Sequence, residues 1–415
     1  MLLLRPTGSA TLFLQQLGRG LRLFEKKQTC LVLDFIGQHR EEFRFDRLLS
    51  AMTGLPRGGL REAVERGFPT LPSGCHLDLD RVARELVLEN LKRSLRGGLN
   101  RLAHDLREVS AQRGGTVSLE QFLEDTSREL AEVYDAGGWT TMRRAAGLLP
   151  SETPDGERSL DEKFRLLLHI DDPDRLALYA RAARQPDPFI AGEPARASEA
   201  EIDRVRLLML GYQLFHASTD RFEPEEILRR LAPYPQLCAE LDELFSLLLD
   251  RVSLAGVRAP PDSTWPLAVH RRYHRREILT ATGSWNAERK PVTQAGVWRI
   301  PDRKTELLFV TLDKSGKRFS PTTRYEDYAI SANVFHWQSQ GDTSVESEAG
   351  RRYIEQRTNG WGFRLFVRPT TRDAFTYLGP VRYQSHTGSR PMSIVWHLEI
   401  PIPGTLLQQY ATLAA

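Results

Sequence analysis

Three runs decide the fold of the C-terminal third: Glu306-Leu307-Leu308-Phe309-Val310-Thr311-Leu312, Phe363-Arg364-Leu365-Phe366-Val367-Arg368 and Ile394-Val395-Trp396-His397-Leu398-Glu399-Ile400. Each is short, rich in β-branched and aromatic residues, and followed by a charged residue or a proline, the pattern of strands. With their Gly and Pro punctuation and a basic surface, they predict a curved antiparallel sheet or small barrel. One helix, from about Leu267 to Thr280, is expected to precede it.

Working outward, composition separates this region from the rest. Between Gly256 and Ala415 there are 22 Lys and Arg against 14 Asp and Glu, a net of +8, whereas residues 1–255 carry 35 against 40, a net of −5. Six of the seven tryptophans also lie there: Trp265, Trp285, Trp298, Trp337, Trp361 and Trp396. The contrast places a domain boundary near 256 and any polyanion-binding surface beyond it. The stretch Gly256 to Thr264, with Pro260-Pro261, reads as the linker.

Upstream, from about Leu77 to Val252, the period is helical. Leu88, Leu91, Leu95, Leu99, Leu102 and Leu106 recur at three and four, one stripe that Gly97-Gly98 interrupts. Ser118 with Gln121, and Ser159 with Glu162, have the S-x-x-[EQ] form of a helix start. Further helices are expected at Glu199–His216, Pro224–Leu231 and Gln236–Val252, with a loop at Pro186–Ser198. The first 45 residues read as strand, helix and buried strand (Leu2-Leu3-Leu4, Ser9 to Leu17, Cys30 to Phe35), an order that suits a parallel sheet. So short a piece cannot hold a whole doubly wound sheet, and the missing strands are expected before Met1. The whole is therefore read as α+β and multidomain: a partial α/β piece over 1–50, a helical spacer over 51–255 and a β-rich domain over 256–415.

With 40% hydrophobic and 27% charged residues and a mean hydropathy of −0.41, the chain is neither a membrane protein nor a disordered one. No apolar run of 18 residues exists. Cys30, Cys75 and Cys238 form no CxxC pair, which excludes a disulfide scaffold and a cysteine zinc cluster; a cytoplasmic home is the simplest.

The most specific string is Gln15-x-x-Gly18-Arg19-Gly20-x-Arg22. It resembles motif VI of superfamily II helicases, Q-x-x-G-R-x-x-R, and Arg5-Pro6-Thr7-x-Ser9 resembles the region before it. Arginine suits phosphoryl transfer because its planar fork stays charged and stabilises the γ-phosphate in the transition state. The resemblance implies that residues 1–50 are the C-terminal remnant of a second RecA-like domain and that Arg19 and Arg22 are catalytic arginines facing ATP, with Gln15 and Gly18 completing that side of the nucleotide site. No G-x-x-x-x-G-K-[ST] phosphate loop occurs. Asp161-Glu162-Lys163 superficially matches a D-E-x-x box but sits at a helix start and reads as a cap. The chain alone is thus expected to hold no cofactor and not to hydrolyse ATP; ATP and Mg would enter with upstream helicase domains, either encoded before Met1 or supplied by a separate chain.

From about Tyr273, the strings Ser320-Pro-Thr-Thr-Arg-Tyr-Glu-Asp-Tyr328, Phe335-His336-Trp337-Gln338-Ser339-Gln340 and Phe366-Val367-Arg368 resemble a domain of unknown function that follows helicase cores in bacterial proteins. The same order occurs in SauUSI-type modification-dependent restriction enzymes, whose last domain recognises methylated cytosine; their H-x-K-x-x-x-x-D nuclease string is absent here. The resemblance implies double-stranded DNA, including 5-methylcytosine-containing DNA, as partner, in restriction and phage defence. A modified base must leave the stack to be enclosed, and aromatic faces then hold it at about 1–3 kcal/mol per base. Trp337, Trp298, Tyr325 and Tyr328 are candidates for that platform; Asp327, Gln338 and Gln340 for reading the base edge; His336 for a base contact. Lys314, Lys317, Arg318, Arg324 and Arg368 are candidates for phosphates. The alternative stands beside this: tryptophans in a small β domain are usually core, and Trp396 in its apolar strand is core.

His270 and His274 would share a helical face at i and i+4, as a metal pair requires. No third ligand follows, and Arg271, Arg272, Arg275 and Arg276 surround them, so a phosphate-facing basic helix is expected and no metal.

Overall fold

The computed structural model describes residues 2–3, 10–22, 30–34, 45–53, 57–68, 76–95, 98–126, 128–184, 197–215, 223–252, 265–285, 295–312, 327–407 and 410. They fall into two compact units, Met1–Arg165 and Leu166–Ala415.

In the first unit, β1 (Leu2–Leu3), α1 (Ala10–Leu21) and β2 (Leu33–Asp34) follow the expected order, and β1 pairs with β2 in parallel, Leu2 facing Leu33. The expected buried strand differs in one respect: Leu31 is 73% and Leu33 47% exposed, so the residues flanking and opening β2 turn an apolar edge outward. Helices α2 (Phe45–Thr53), α3 (Arg57–Arg66) and α4 (Arg81–Leu95) close a small core of Phe45, Leu49, Leu60, Val64, Val87 and Leu91. The leucine stripe is split as expected, with Gly98 capping α5 (Leu99–Arg113). The first capping box forms at α6 (Leu119–Thr126): Gln121 N donates to Ser118 Oγ at 3.2 Å, and Ser118 N to Gln121 Oε1 at 3.1 Å. The second does not. After α7 (Leu130–Asp135) and α8 (Trp139–Ala145), Ser159 lies inside α9 (Glu157–Asp161), where a cap has no orphan amide to meet. Asp161 instead caps α8 from a distance, accepting from Thr141 N at 2.9 Å and Thr141 Oγ1 at 2.7 Å.

The second unit begins well upstream of the compositional boundary. Its helices α11 (Ala197–Leu214), α12 (Pro224–Leu231) and α13 (Pro235–Arg251) lie within two residues of the expected spans, and α10 (Pro173–Arg184) falls in the stretch read as helical without a span of its own. The linker read at 256–264 lies outside the described residues.

Eight strands form one sheet: β3 (Arg272–Tyr273), β4 (Val297–Ile300), β5 (Thr305–Thr311), β6 (Tyr328–Ser331), β7 (Val334–Gln338), β8 (Gly362–Arg368), β9 (Phe375–Thr387) and β10 (Ser393–Leu398). The order is β4-β5-β8-β9-β10-β7-β6, with β3 beside β9. Two expectations are corrected. The sheet is mixed, because β5 runs parallel to β8, Thr305 facing Gly362 and Thr311 facing Arg368. It is open, because its path among the described residues ends on β4 and β6. The helix expected at Leu267–Thr280 is also shorter: α14 spans Arg275–Ala281, since His270 takes φ +64 and Arg272 and Tyr273 pair as a strand with Thr376 and Phe375.

Two cores lie on the two faces. On one, Leu308, Val310, Phe335, Phe363, Leu365, Trp337 and Trp396 pack against Tyr353 of α15 (Glu348–Ile354), which α16 (Gln356–Asn359) follows. On the other, Leu307, Phe309, Phe366, Phe375 and Tyr377 pack against Ile278 of α14 and Met209 of α11. Every residue of β5 is buried, as a strand covered on both faces must be. This second core takes no residue from β10, β7 or β6, and their residues on that face are half-buried or exposed.

Candidate nucleic-acid interface

Strand pleat decides what the sheet presents there. Phe335 and Trp337 point into the first core, so His336 and Gln338 point outward. Antiparallel register then aligns outward residues across four strands: Tyr328, His336, Val395 and Ser385 in one row, Gln338, Ser393 and Thr387 in the next, Val334, His397 and Arg382 in a third. Tyr328 and His336 stack with ring centroids 4.8 Å apart and planes 19° apart. Asp327 accepts from the Gln338 amide at 2.9 Å, fixing the entry to β6 against β7. Among the described residues in these rows the charge is Arg382, paired with Glu399 at 2.8 Å. The face offers an aromatic stack bordered by an amide, hydroxyls and an imidazole, groups that stack on a base and hydrogen-bond to its edge.

The structure brings together Asp327, Tyr328, His336 and Gln338 of the residues singled out in the sequence. Gln340 is exposed just beyond β7. Trp337 is corrected: it is 3% exposed, edge-on to Tyr353 and tilted against Trp396, and has no face for a base. Adjacent residues of a strand face opposite ways, so His336 and Trp337 cannot serve one surface. Trp298 is half-buried against the second core. Lys314, Lys317, Arg318, Arg324 and Tyr325 lie outside the described residues, as do Arg5 to Ser9. Arg368 belongs to the other end of the sheet. Its neighbour Val367 faces Thr376, nine residues along β9 from Ser385, roughly 30 Å at the rise of a strand. There Arg368 Nε donates to Thr311 Oγ1 at 3.0 Å, and its guanidinium lies 4.4 Å from the Phe375 ring centroid.

His270 and His274 do not share a helix face. His274 caps α14, with its side chain accepting from the N3 amide and Glu277 reaching back to its own amide at 2.7 Å. Burial pushes both imidazoles down to about 4, with Arg271 adding to the effect on His270 and His169 to that on His274. Among the described residues, His104, Asp105 and Glu108 bring ligand atoms within 4.8 Å of one another. Asp105, however, is engaged by Arg128 at 2.5 Å.

In the first unit Gln15, Gly18, Arg19 and Arg22 fall at i, i+3, i+4 and i+7 on or just after α1, and all four are exposed. They form one solvent-facing stripe. No helix among the described residues is long and apolar enough to cross a membrane.

Sequence reasoning missed Ser385, Thr387, Ser393, His397 and Arg382 as parts of the same face. The signal was present in β10, where Ile394, Trp396 and Leu398 alternate with Ser393, Val395 and His397. The partner strand β9 was hidden by Gly379-Pro380, which reads as a turn yet passes through the ladder at Gly379 φ +93. No curated protein matches this chain. Residues 267–410, which contain the whole sheet, match the family model described as Domain of unknown function (DUF3427).

Proposed function

We propose that the chain supplies a DNA-reading sheet and the arginine side of an ATP site to a superfamily II helicase-like DNA translocase, acting in restriction or phage defence on DNA that includes 5-methylcytosine. The observation that carries the reading is the Tyr328–His336 stack, set in register with Val395 and Ser385 on a face against which no helix of the described residues adds to a core. The basic balance of residues 256–415 adds a sequence-independent attraction for phosphates. The exposed Gln15, Gly18, Arg19 and Arg22 stripe supports the second half of the reading, in which ATP and Mg enter with domains from another chain and turnover requires both.

The test is binding of the full chain to matched duplexes, unmodified and 5-methylcytosine-containing, each at two salt concentrations. Preference for the modified duplex that persists at high salt is the expected result. Equal, steeply salt-dependent binding would mean phosphate contacts alone, and no binding at either salt would refute the DNA reading.

A further inference from the structure

We propose that Arg390, in the connection between β9 and β10, holds a backbone phosphate of the DNA strand that lies on the outward face; the proposal rests on the reading of that face as a DNA surface. Arg390 takes φ +63, a left-handed conformation that crowds a side chain against the following carbonyl and that glycine adopts without this cost. Among the described residues, Phe68, His270 and Lys304 are the other non-glycine residues with positive φ. Each has a place inside the fold. Phe68 fills the small core of the first unit, His270 is half-buried, and Lys304 Nζ donates to the Asn359 carbonyl at 3.4 Å. Arg390 differs from all three. It is exposed, and its guanidinium has no hydrogen bond, ion pair or ring contact among the described residues. Nothing within the described fold accounts for an arginine where glycine would sit more easily, which points to a partner outside the chain.

The backbone beneath this side chain is fixed from the neighbouring 339–345 segment. Arg390 N donates to the Thr343 carbonyl at 3.1 Å, and Val345 N donates to Ser389 Oγ at 3.4 Å. Met392, fully buried, donates its amide to Ser339 Oγ at 2.9 Å and accepts from Ser339 N at 2.9 Å. A cation carried on a backbone ordered before any ligand arrives loses less freedom on binding than one on a loose loop.

Its place in the sheet gives the partner. The connection continues directly from the second outward row, where Ser393 faces Thr387 on one side and Gln338 on the other. The row of Tyr328, His336, Val395 and Ser385 lies two residues further along each strand, about 7 Å away. From the stack to the connection, the face thus passes from aromatic rings, through hydroxyls and an amide, to a cation. That is the order of base, sugar and phosphate in a nucleotide. The planar guanidinium fork matches phosphate oxygens, and a contact of this kind positions a strand without reading its sequence.

The experiment is titration of the full chain with unmodified and 5-methylcytosine-containing duplexes over a range of salt concentrations. It compares wild type, Arg390→Gly, Arg390→Lys and, as control, Arg372→Gln, an exposed arginine at the other end of β9. Arg390→Gly is expected to bind both duplexes roughly tenfold more weakly at low salt. Its slope of log affinity against log salt should be shallower by about one. Arg390→Lys should keep the slope and lose less, because it retains charge without the fork. Thermal unfolding of Arg390→Gly should have a midpoint at or above that of wild type. Affinity and slope equal to wild type in Arg390→Gly, or an equal loss in Arg372→Gln, overturns the assignment. A lowered midpoint also overturns it, since the side chain would then serve the fold. Failure of the DNA reading itself has another signature: wild type binds neither duplex at any salt.

Discussion

Arg175 and Glu277 form an ion pair with neither side chain exposed, joining α10 to α14 across 102 residues of sequence. The second carboxylate oxygen of Glu277 meets His169 Nε2 at 2.6 Å. Around the pair, Tyr273 donates to Asp172 at 3.1 Å, and Arg175 lies 5.0 Å from the Tyr273 centroid. Burial would raise the Glu277 carboxyl, but the Arg175 and His169 charges more than offset it and hold it far below the ordinary range. The helices beginning at α10 are thus part of the body that carries the sheet, although their composition belongs to the acidic, leucine-rich part of the chain.

Breaking this pair should be costly, because the remaining charge has no water to return to. Glu277→Gln or Arg175→Met is expected to lose about 3–5 kcal/mol of unfolding free energy, and the double replacement by apolar residues much less. A fragment from Gly256 to Ala415 leaves Glu277 without Arg175 and the second core without Met209. It should unfold without the cooperative transition that a fragment from Leu166 shows. Urea denaturation followed by near-ultraviolet circular dichroism checks both; equal cooperativity of the two fragments would sink the idea.

Acid should destabilise the second unit over a defined window. His274 is neutral in the folded chain because burial, aided by His169, pushes it down to about 4, while in the unfolded chain it titrates near 6.5. Between these values the unfolded state binds the extra proton. Stability contributed by neutral His274 is therefore present above about 6.5 and is lost as pH falls to about 4, by about 3 kcal/mol. Asn caps a helix without titrating, so His274→Asn should flatten the slope of stability against pH in that window. An unchanged slope would place the acid sensitivity elsewhere.

What was legible in the sequence followed from local pattern. α12 begins at Pro224 and ends at Leu231 as read, because proline at the first helical position and an amphipathic period both mark it. β5, β8 and β10 announced themselves by composition. The parallel pairing of β5 with β8 did not, since nothing within either strand encodes a partner more than fifty residues away. The helix from Leu267 was overextended because its apolar spacing is local, whereas the Tyr273–Phe375 pairing that overrides it is not. At the site, His336, Trp337, Gln338 and Gln340 were read as one surface. The period of two divides them: Trp337 faces the core, and His336 and Gln338 face out.

Gly350 on α15 marks where that core leaves no slack. A Cβ there would overlap the Ser344 carbonyl oxygen and approach Met392 Sδ to 3.0 Å. The obstacle is backbone, and Ser347 caps the same helix through the Gly350 amide at 3.0 Å, so the helix cannot easily shift away. Gly350→Ala, ordinarily favourable inside a helix, is expected instead to cost about 1–3 kcal/mol. Thermal unfolding of the variant checks the sign; a raised midpoint would show that α15 moves freely.

Substitutions on the two sides of β7 should separate stability from binding. Trp337→Ala empties a site surrounded by Tyr353, Trp396 and Phe335, and should cost about 3–5 kcal/mol of stability. Its effect on DNA should vanish when binding is measured on the fraction that remains folded. Tyr328 is 37% exposed on an edge strand, and His336 is stacked on it from the outward side. Tyr328→Ala should leave the unfolding midpoint nearly unchanged while weakening DNA binding by about 1–3 kcal/mol, the worth of one stacked base. The loss should persist at high salt, because stacking releases no counterions, whereas loss of a phosphate contact would shrink as salt rises. Salt titrations of wild type, Tyr328→Ala and Trp337→Ala decide the matter. A Tyr328→Ala duplex affinity equal to that of wild type at both salts would remove the outward face from DNA recognition.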